Sequence, residues 1–278
     1  MCCSHTKTMM TSFSSSPSSC RRFIGEGWTP VSTRLERPIS SFAYASLDED
    51  RHFLFDGRFD DTKDAVPVVE YNSMSKKLST HTPPPEVFFN SAATAIDEHR
   101  FLVVGGASPT DLGGHYECSC RVYDTRTKKW STNWPALNNA RFMHACVCTN
   151  NKVYAIGGYC FDYLNTVEEL DLSLRTPEWR VLPQRLQKKR SLCSAVVDPT
   201  NPNNIIVVGG AGEGGDSCEI ISLTAQEGPT ETIPPLTTGR EGLRTVVVEN
   251  RFIVAMGGCW TLPTGRKPNS GSKRPKIK

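Results

Sequence analysis

Residues 153–158 have the sequence Val-Tyr-Ala-Ile-Gly-Gly, a short apolar run closed by two glycines. A doubled glycine ends an apolar run at three other places, and successive second glycines lie 52, 52 and 48 residues apart. A degenerate copy of the pair is Asp56-Gly57, and its Gly57 lies 49 residues before Gly106. The four full pairs are Gly105 and Gly106, Gly157 and Gly158, Gly209 and Gly210, and Gly257 and Gly258. Because a unit of about fifty residues cannot bury its own apolar face, the period predicts several similar units packed side by side.

Each unit is expected to begin with a β-hairpin. The run before each glycine pair, such as residues 205–208, is too short for a helix and rich in β-branched residues. Another candidate strand precedes it, as at residues 194–197, and polar turn residues join the two. A third strand ends at Tyr123-Asp124 in the second unit, and a fourth carries Trp130 there and Trp179 in the next. Four antiparallel strands with little helix predict one twisted sheet per unit.

The order of these residues resembles the Kelch repeat. The passage from the second unit into the third shows it most fully, with Tyr123-Asp124, Trp130, Pro135 and Arg141 leading to the next glycine pair. The resemblance covers about residues 28–260 and implies an all-β, Kelch-type β-propeller whose sheets are blades around a central channel. Three units depart from the pattern and are expected to be the least regular: Leu78 replaces the tryptophan in the first, the second lacks the opening arginine, and Ser222-Leu223-Thr224 replaces Tyr-Asp in the fourth.

The glycines and tryptophans are interpreted as structural residues. Glycine suits a strand end where the chain turns with positive φ or passes close to a neighbouring backbone. A large aromatic residue at a repeated position, such as Trp130 or Trp179, is expected to fill the space between sheets.

The spacing predicts five blades. The units span about residues 37–85, 86–135, 141–184, 190–236 and 240–263. The fifth unit is too short for four strands. Trp28 precedes Arg37 much as Trp130 precedes Arg141, so the N-terminal segment resembles the fourth strand of a unit. We therefore expect residues 23–34 to complete the last blade, which gives one propeller domain at residues 23–263. An open or truncated part of a six- or seven-bladed ring, with exposed sheet edges, is the alternative.

The composition limits the class of protein. A hydrophobic fraction of 38% and a charged fraction of 22% are typical of a globular protein. No run of eighteen apolar residues exists to span a bilayer, so no membrane segment is expected. The net charge of +3 does not favour nucleic acid as a partner.

The eleven cysteines are odd in number and scattered among strands, which favours reduced thiols in the cytoplasm or nucleus. Cys118 and Cys120 have one residue between them, unlike the two to four typical of structural zinc sites. We therefore expect no metal site and no cofactor.

Both ends of the chain are expected to be disordered. Residues 1–22 are rich in Ser and Thr and contain no acid, which leaves an organellar transit peptide open as an alternative. Residues 264–278 are basic and also free of acids, a composition compatible with nuclear import of an otherwise cytoplasmic protein.

The resemblance implies a binding function on one face of the propeller. The connections between second and third strands project there, and they are rich in Gly, Asp and aromatic residues, with Tyr159 among them. Those connections include residues 58–67, 107–117, 159–165 and 211–217. The arginines that open four of the units would lie near the channel mouth and favour carboxylates: Arg37, Arg141, Arg190 and Arg240.

We therefore expect an adaptor or substrate-recognition propeller that binds another protein through a segment of acidic or phosphorylated character. A structural role for the arginines, paired with loop carboxylates or carbonyls, is the other reading. An enzyme is the alternative function, because some propellers of this kind act as oxidases, lyases or isomerases. The six histidines lie at dissimilar positions of the repeat, so no catalytic residue is assigned.

Overall fold

The computed structural model describes residues 19–24, 27–59, 64–109, 115–225 and 227–260. Every regular element in these ranges is a β-strand, and no helix there could cross a membrane. Residues 1–18 and 264–278, which cover most of the two tails expected to be disordered, lie outside the described residues. Residues 19–22, assigned to the N-terminal tail from the sequence, instead belong to a strand.

The strands follow one another in repeating units. An N-terminal hairpin contains β1 (Ser19–Ile24) and β2 (Gly27–Arg34). The first unit contains β3 (Ile39–Ser40), β4 (Ala43–Ser46), β5 (Arg51–Phe55), β6 (Arg58–Phe59), β7 (Val69–Asn72) and β8 (Lys77–Thr80). The second contains β9 (Ala92–Ala95), β10 (Arg100–Val104), β11 (Ala107–Ser108), β12 (His115–Tyr116), β13 (Cys120–Asp124) and β14 (Lys129–Ser131).

The later units continue this order. The third contains β15 (Ala145–Thr149), β16 (Lys152–Ile156), β17 (Tyr159–Cys160), β18 (Asp162–Tyr163), β19 (Val167–Asp171) and β20 (Trp179–Val181). The fourth contains β21 (Arg190–Ser191), β22 (Ser194–Val197), β23 (Asn204–Gly212), β24 (Gly215–Ser222) and β25 (Glu231–Ile233). The last contains β26 (Arg240–Val248) and β27 (Phe252–Trp260).

Each of the first four units forms one antiparallel blade. In the third, the strand order is β15-β16-β19-β20, with Val153 opposite Leu170 on the neighbouring strand. The connection between the second and third strands carries a short ribbon, which is β17 with β18 in this unit. The equivalent ribbon of the second unit pairs β11 with β12. In the first and fourth units, the segment that opens the unit pairs with this connection, as β3 with β6 and β21 with the end of β23.

The last unit differs from the expected fifth blade. Among the described residues its sheet contains only β26 and β27, while the strand that includes Trp28 pairs with β1. The hydroxyl of Thr33, in β2, donates to the carbonyl of Lys76 just before β8, at the outer side of the first blade. The predicted completion of the last blade by residues 23–34 is therefore wrong, because these residues form a hairpin of their own beside the first blade.

Backbone hydrogen bonds join the five units near their inner strands. Each unit has one residue with positive φ near the start of its inner strand, and in the last four units the N–H of this residue donates to the carbonyl of the equivalent residue in the preceding unit. The bonds run from Asn90 to Ser41, Met143 to Asn90, Leu192 to Met143 and Gly242 to Leu192, at 2.7–2.8 Å. The strand β26 therefore occupies the fifth inner position, although its unit has two strands.

The glycine pairs form the joints between blades. The N–H of Gly158 donates to the carbonyl of Arg190, in the next unit, at 2.8 Å. Gly157 has a φ of 61°, and a Cβ there would lie 2.7 Å from the same carbonyl. The doubled glycine therefore lets one blade approach the backbone of the next without a side chain between them.

Apolar clusters fill the spaces between successive blades. The first two blades pack through aromatic rings, with Phe55 and Phe101 5.0 Å apart and Tyr123 buried beside them. Trp179 is buried between the second and third blades and donates from Nε1 to the carbonyl of Pro135 at 3.1 Å. Trp130 packs against the first cluster in the same manner. The two indoles thus lie between sheets, each tied to the preceding unit by a hydrogen bond.

Candidate functional site

The ribbons between second and third strands lie on one face of the propeller, which we call the loop face. Contacts between neighbouring ribbons show this placement. Tyr116 of the second unit contacts Tyr159 of the third, and Tyr163 of the third contacts the backbone near Gly212 of the fourth. The loop face is where binding was expected from the sequence.

Five aromatic side chains gather on the loop face where the second, third and fourth units meet. Tyr116 stacks on Phe142, with ring centroids 4.8 Å apart. Phe161 packs edge-on against Tyr116 at 5.1 Å, and Tyr163 edge-on against Tyr159 at 5.3 Å. Stacked and edge-to-face pairs at such distances are favourable, so the rings hold one another in place. We call these five side chains the aromatic surface.

A tight ribbon presents the most exposed ring of this surface. Tyr159 lies opposite Tyr163, and Cys160 opposite Asp162, so Phe161 forms the tip. Its side chain is 84% exposed, and its φ is 60°. A left-handed backbone costs a bulky residue about 1–2 kcal/mol, so the fold holds an apolar ring in solvent against two energetic penalties.

The ribbon is held on both sides, by the start of its own unit and by the fourth unit. Phe142 and Tyr159 exchange backbone hydrogen bonds of 3.0 and 3.2 Å. On the other side, a Cβ on Gly212 would lie 2.8 Å from Cγ of Tyr163, so the ring rests directly on the backbone of the fourth unit. The aromatic surface is therefore built on paired strands rather than on a free loop.

The rim of the aromatic surface carries opposite charges. Nζ of Lys189 lies 2.5 Å from Oδ2 of Asp162, and both side chains are exposed. This hydrogen bond lowers the pKa of Asp162 and raises that of Lys189, so both groups are charged at neutral pH. The pair leaves the rim polar without giving it a strong net charge.

Arginines occupy the same face at the first unit. The guanidinium of Arg37 lies 3.8 Å from the ring centroid of Phe59 and 3.6 Å from Oδ2 of Asp64. Arg58 is exposed, and its guanidinium lies 5.7 Å from the ring centroid of Phe89. Cation–aromatic contacts within about 6 Å contribute roughly 0.5–1 kcal/mol at exposed sites.

The structure corrects the binding role expected for Arg141 and Arg190. Both side chains are fully buried, and Nη1 of each donates to the first glycine of the pair in its own unit, Gly157 and Gly209, at 2.8 Å. Nη2 of Arg141 bonds Glu168 at 2.6 Å, and Arg190 bonds Glu219 in the same manner. With no accessible surface, neither guanidinium can contact a partner in this structure.

The other two opening arginines are placed differently. Arg240 is part of the same repeat pattern, since its Nη1 donates to the carbonyl of Gly257 at 2.9 Å, but its side chain remains accessible. Arg37 precedes the equivalent position by two residues, because Ile39 starts the first unit and is buried with Val69. The four arginines therefore do not converge on one opening, whereas Tyr159 does belong to the aromatic surface.

The second unit holds an inverted version of the buried ion pair. Phe88 occupies the position of the opening arginine, and Arg121 occupies that of the glutamate on the third strand. Arg121 lies 4.3 Å from the ring centroid of Phe88 and forms two hydrogen bonds, of 3.0 and 2.7 Å, with Asp56 of the first unit. Asp56, which replaces the first glycine of a pair, therefore supplies the counter-ion for an arginine of the next blade.

The cysteines with described side chains are free thiols. Burial raises the pKa of Cys120 to about 12 and that of Cys146 well above its usual value, so both are protonated at neutral pH. Within the described ranges no three His, Cys, Asp or Glu side chains are grouped as metal ligands.

Comparison with known proteins agrees with this architecture. A family model described as Kelch motif matches residues 140–185, which span the third unit. No curated protein matches the sequence. The solved structure titled "Structure of YjhT" superposes with a TM-score of 0.70 over 85% of this chain and 82% of that chain, at 14% identity. The predicted Kelch-type β-propeller fold is confirmed.

Proposed function

Given the Kelch-type β-propeller fold, we propose that this protein is an interaction module whose aromatic surface binds a segment of another protein. The observation that supports the proposal most strongly is Phe161, 84% exposed at the tip of a ribbon with a φ of 60°. Strained backbone and an exposed aromatic ring are both unfavourable in the free protein. Features of this kind persist at sites where a ligand repays their cost.

The surroundings of Phe161 suit a protein partner. Aromatic side chains bury a large area at little cost in conformational entropy, which is why they dominate the energetics of protein interfaces. The polar rim of Asp162 and Lys189 matches the usual arrangement of an apolar centre and a solvated edge. The ribbon is held on both sides, so binding requires little ordering of the site.

The acidic character of the partner is also part of the proposal. It now depends on Arg58, which is exposed on the loop face, and no longer on Arg141 or Arg190. A segment with an aromatic or aliphatic residue against Phe161 and a carboxylate toward Arg58 would fit this face.

Substitution of Phe161 tests the proposal against a matched control. Met74 is also apolar and 76% exposed, but it lies in the turn between β7 and β8. Proteins that co-purify with the wild type should be lost from Phe161→Ala and retained by Met74→Ala, as measured by quantitative mass spectrometry. With a purified partner segment, Phe161→Ala should weaken binding by about 30-fold or more, the effect of a typical interface hot spot. Equal recovery by the wild type and both variants would contradict the proposal.

A further inference from the structure

The last unit lacks a carboxylate where the two preceding units have one. In the third and fourth units, the opening arginine donates to the first glycine of its pair and to a glutamate on the third strand. Arg240 makes the glycine bond, to Gly257, but within the described ranges no carboxylate pairs with it. Its guanidinium is thus held in the orientation that receives a carboxylate in the other units.

The edge beside Arg240 is also without a neighbour. The strand β27 pairs with β26 on one side, and no further strand pairs with it in the part of the chain that the structure describes. Gly257 and Gly258 are exposed, whereas the equivalent glycines of the complete units are buried. A Cβ on Gly257 would meet no atom within 4 Å, while one on Gly157 would meet the next blade at 2.7 Å.

The register of the complete blades defines where a carboxylate must stand on an added strand. Glu168 lies opposite Ala155, and Glu219 opposite Val207, each two residues before the first glycine of its pair. The equivalent residue of β27 is Ala255. A strand added antiparallel to β27 would therefore bring an acidic residue opposite Ala255 within reach of Arg240.

The two terminal segments outside the described residues contain no acid for that position. Residues 261–278, which follow β27, contain no Asp or Glu, and neither do residues 1–18. Symmetric pairing of β27 with β27 of a second copy would bring no acid either, since residues 252–260 contain none.

We propose that the free edge of β27 binds an extended acidic segment of a partner protein as an added strand, with a carboxylate that pairs with Arg240. Strand addition supplies main-chain hydrogen bonds along an unpaired edge, and the side chains supply specificity. By analogy with residues 167–170 and 218–221, the segment has an acid preceded by an apolar residue and followed two residues later by another. This edge is separate from the aromatic surface, so either proposal can fail alone.

A peptide taken from the protein itself serves as the probe. Residues 164–172 contain the third strand of the third unit, with Glu168 at the required position. The full-length protein should bind this peptide, as measured by fluorescence anisotropy, and binding should weaken by about tenfold or more when the peptide carries Glu168→Gln. The variant Arg240→Met should lose affinity to the same extent. Arg251→Met, on the exposed end of the same hairpin, is the matched control and should bind within about twofold of the wild type.

Hydrogen exchange locates the peptide. The amides of β27 should exchange more slowly when the peptide is added, with little change in β17 and β18. Absence of peptide binding would overturn the proposal. So would a peptide affinity that neither Glu168→Gln in the peptide nor Arg240→Met in the protein changes. Protection of the outer amides of β27 without peptide would overturn it as well, because the edge would then already be covered by the chain itself.

Discussion

Nη2 of Arg141 lies 2.6 Å from Oε1 of Glu168, and neither side chain is accessible to solvent. Asn138 donates its backbone N–H to the other oxygen of this carboxylate at 2.7 Å, and Arg141 also donates to Gly157. The pair therefore joins the start of the unit, the end of its second strand and its third strand. The equivalent pair of the fourth unit, Arg190 with Glu219, is also buried. The ion pair is therefore a structural element of the blade rather than a ligand site.

Loss of the carboxylate charge should destabilise the fold strongly. Glu168→Gln keeps the shape of the side chain but leaves Arg141 as a buried charge without a counter-ion. We expect the free energy of unfolding to fall by about 3–5 kcal/mol, measured by urea denaturation. Arg100→Ala removes an exposed pair with Asp97 and should cost less than about 1 kcal/mol. Similar losses for the two variants would contradict the structural role of Glu168.

Replacement of Asp56 by the glycine found in other units should destabilise the protein. Repeat similarity alone would favour Asp56→Gly, because Asp56 has a φ of 55° and glycine adopts that conformation more easily. The structure predicts a loss of stability instead, since Arg121 would lose its counter-ion in a buried site. We expect a loss of about 3–5 kcal/mol in urea denaturation.

A second substitution separates this explanation from a backbone effect. In the double variant Asp56→Gly with Arg121→Met, neither charge of this pair remains buried, so most of the stability should return. A double variant no more stable than Asp56→Gly alone would show that the ion pair is not the cause.

Two glycines with similar backbone angles should respond differently to alanine. Gly157 has a φ of 61° and packs against the carbonyl of Arg190, while Gly257 has a φ of 69° and has no neighbour at its Cβ position. Gly257→Ala should cost only the backbone strain, about 1–2 kcal/mol. Gly157→Ala should cost clearly more, because the next blade must move as well. Equal losses in thermal or urea denaturation would show that Gly257 is also packed against another blade.

His144 should make the stability depend on pH. Burial, together with the charge of Arg141, holds the pKa of His144 well below the ordinary value of 6.5, and its ring nitrogens have no hydrogen-bond partner in the structure. Below pH 6.5 the unfolded chain therefore binds a proton that the folded chain does not. The free energy of unfolding should fall by up to about 1.4 kcal/mol per pH unit as the pH decreases through this range.

The variant His144→Leu should remove this dependence. Leu243 follows the positive-φ residue Gly242 in the last unit, just as His144 follows Met143, so leucine is compatible with this position. Urea denaturation at pH 7.5 and pH 5.5 should show a smaller difference for His144→Leu than for the wild type. An unchanged difference would place the titrating group elsewhere.

Much of the fold could be predicted from the sequence. Local sequence signals mark three features of the third unit: the apolar run before Gly157, the turn at Asn150 and the glycine pair. The hairpin and the glycine joint to the next blade could therefore be predicted together. The strand that pairs with the Trp28 segment was predicted wrongly. The order of Trp28 and Arg37 along the chain gives no information about which strand lies beside Trp28. Arg37 was also assigned to the wrong register, since the apolar pair of Ile39 and Val69 replaces the ion pair in the first unit.

The candidate site was predicted only in part. The loop face and Tyr159 followed from the repeat, but the aromatic surface combines side chains from residues 116, 142 and 159–163, whose contacts depend on how three units meet. The partners of the arginines were missed as well. Glu168 and Glu219 follow their arginines by 27 and 29 residues, and this similar spacing is the signal that could have revealed them.

Photo-crosslinking from position 161 tests most directly whether the aromatic surface binds a protein. A benzophenone-bearing phenylalanine in place of Phe161 keeps an aromatic ring at the tip of the ribbon, and the same residue in place of Met74 is the control. We predict a covalent adduct with a discrete protein from position 161 and none from position 74. No adduct from position 161, or the same adduct from both positions, would contradict the role of this surface.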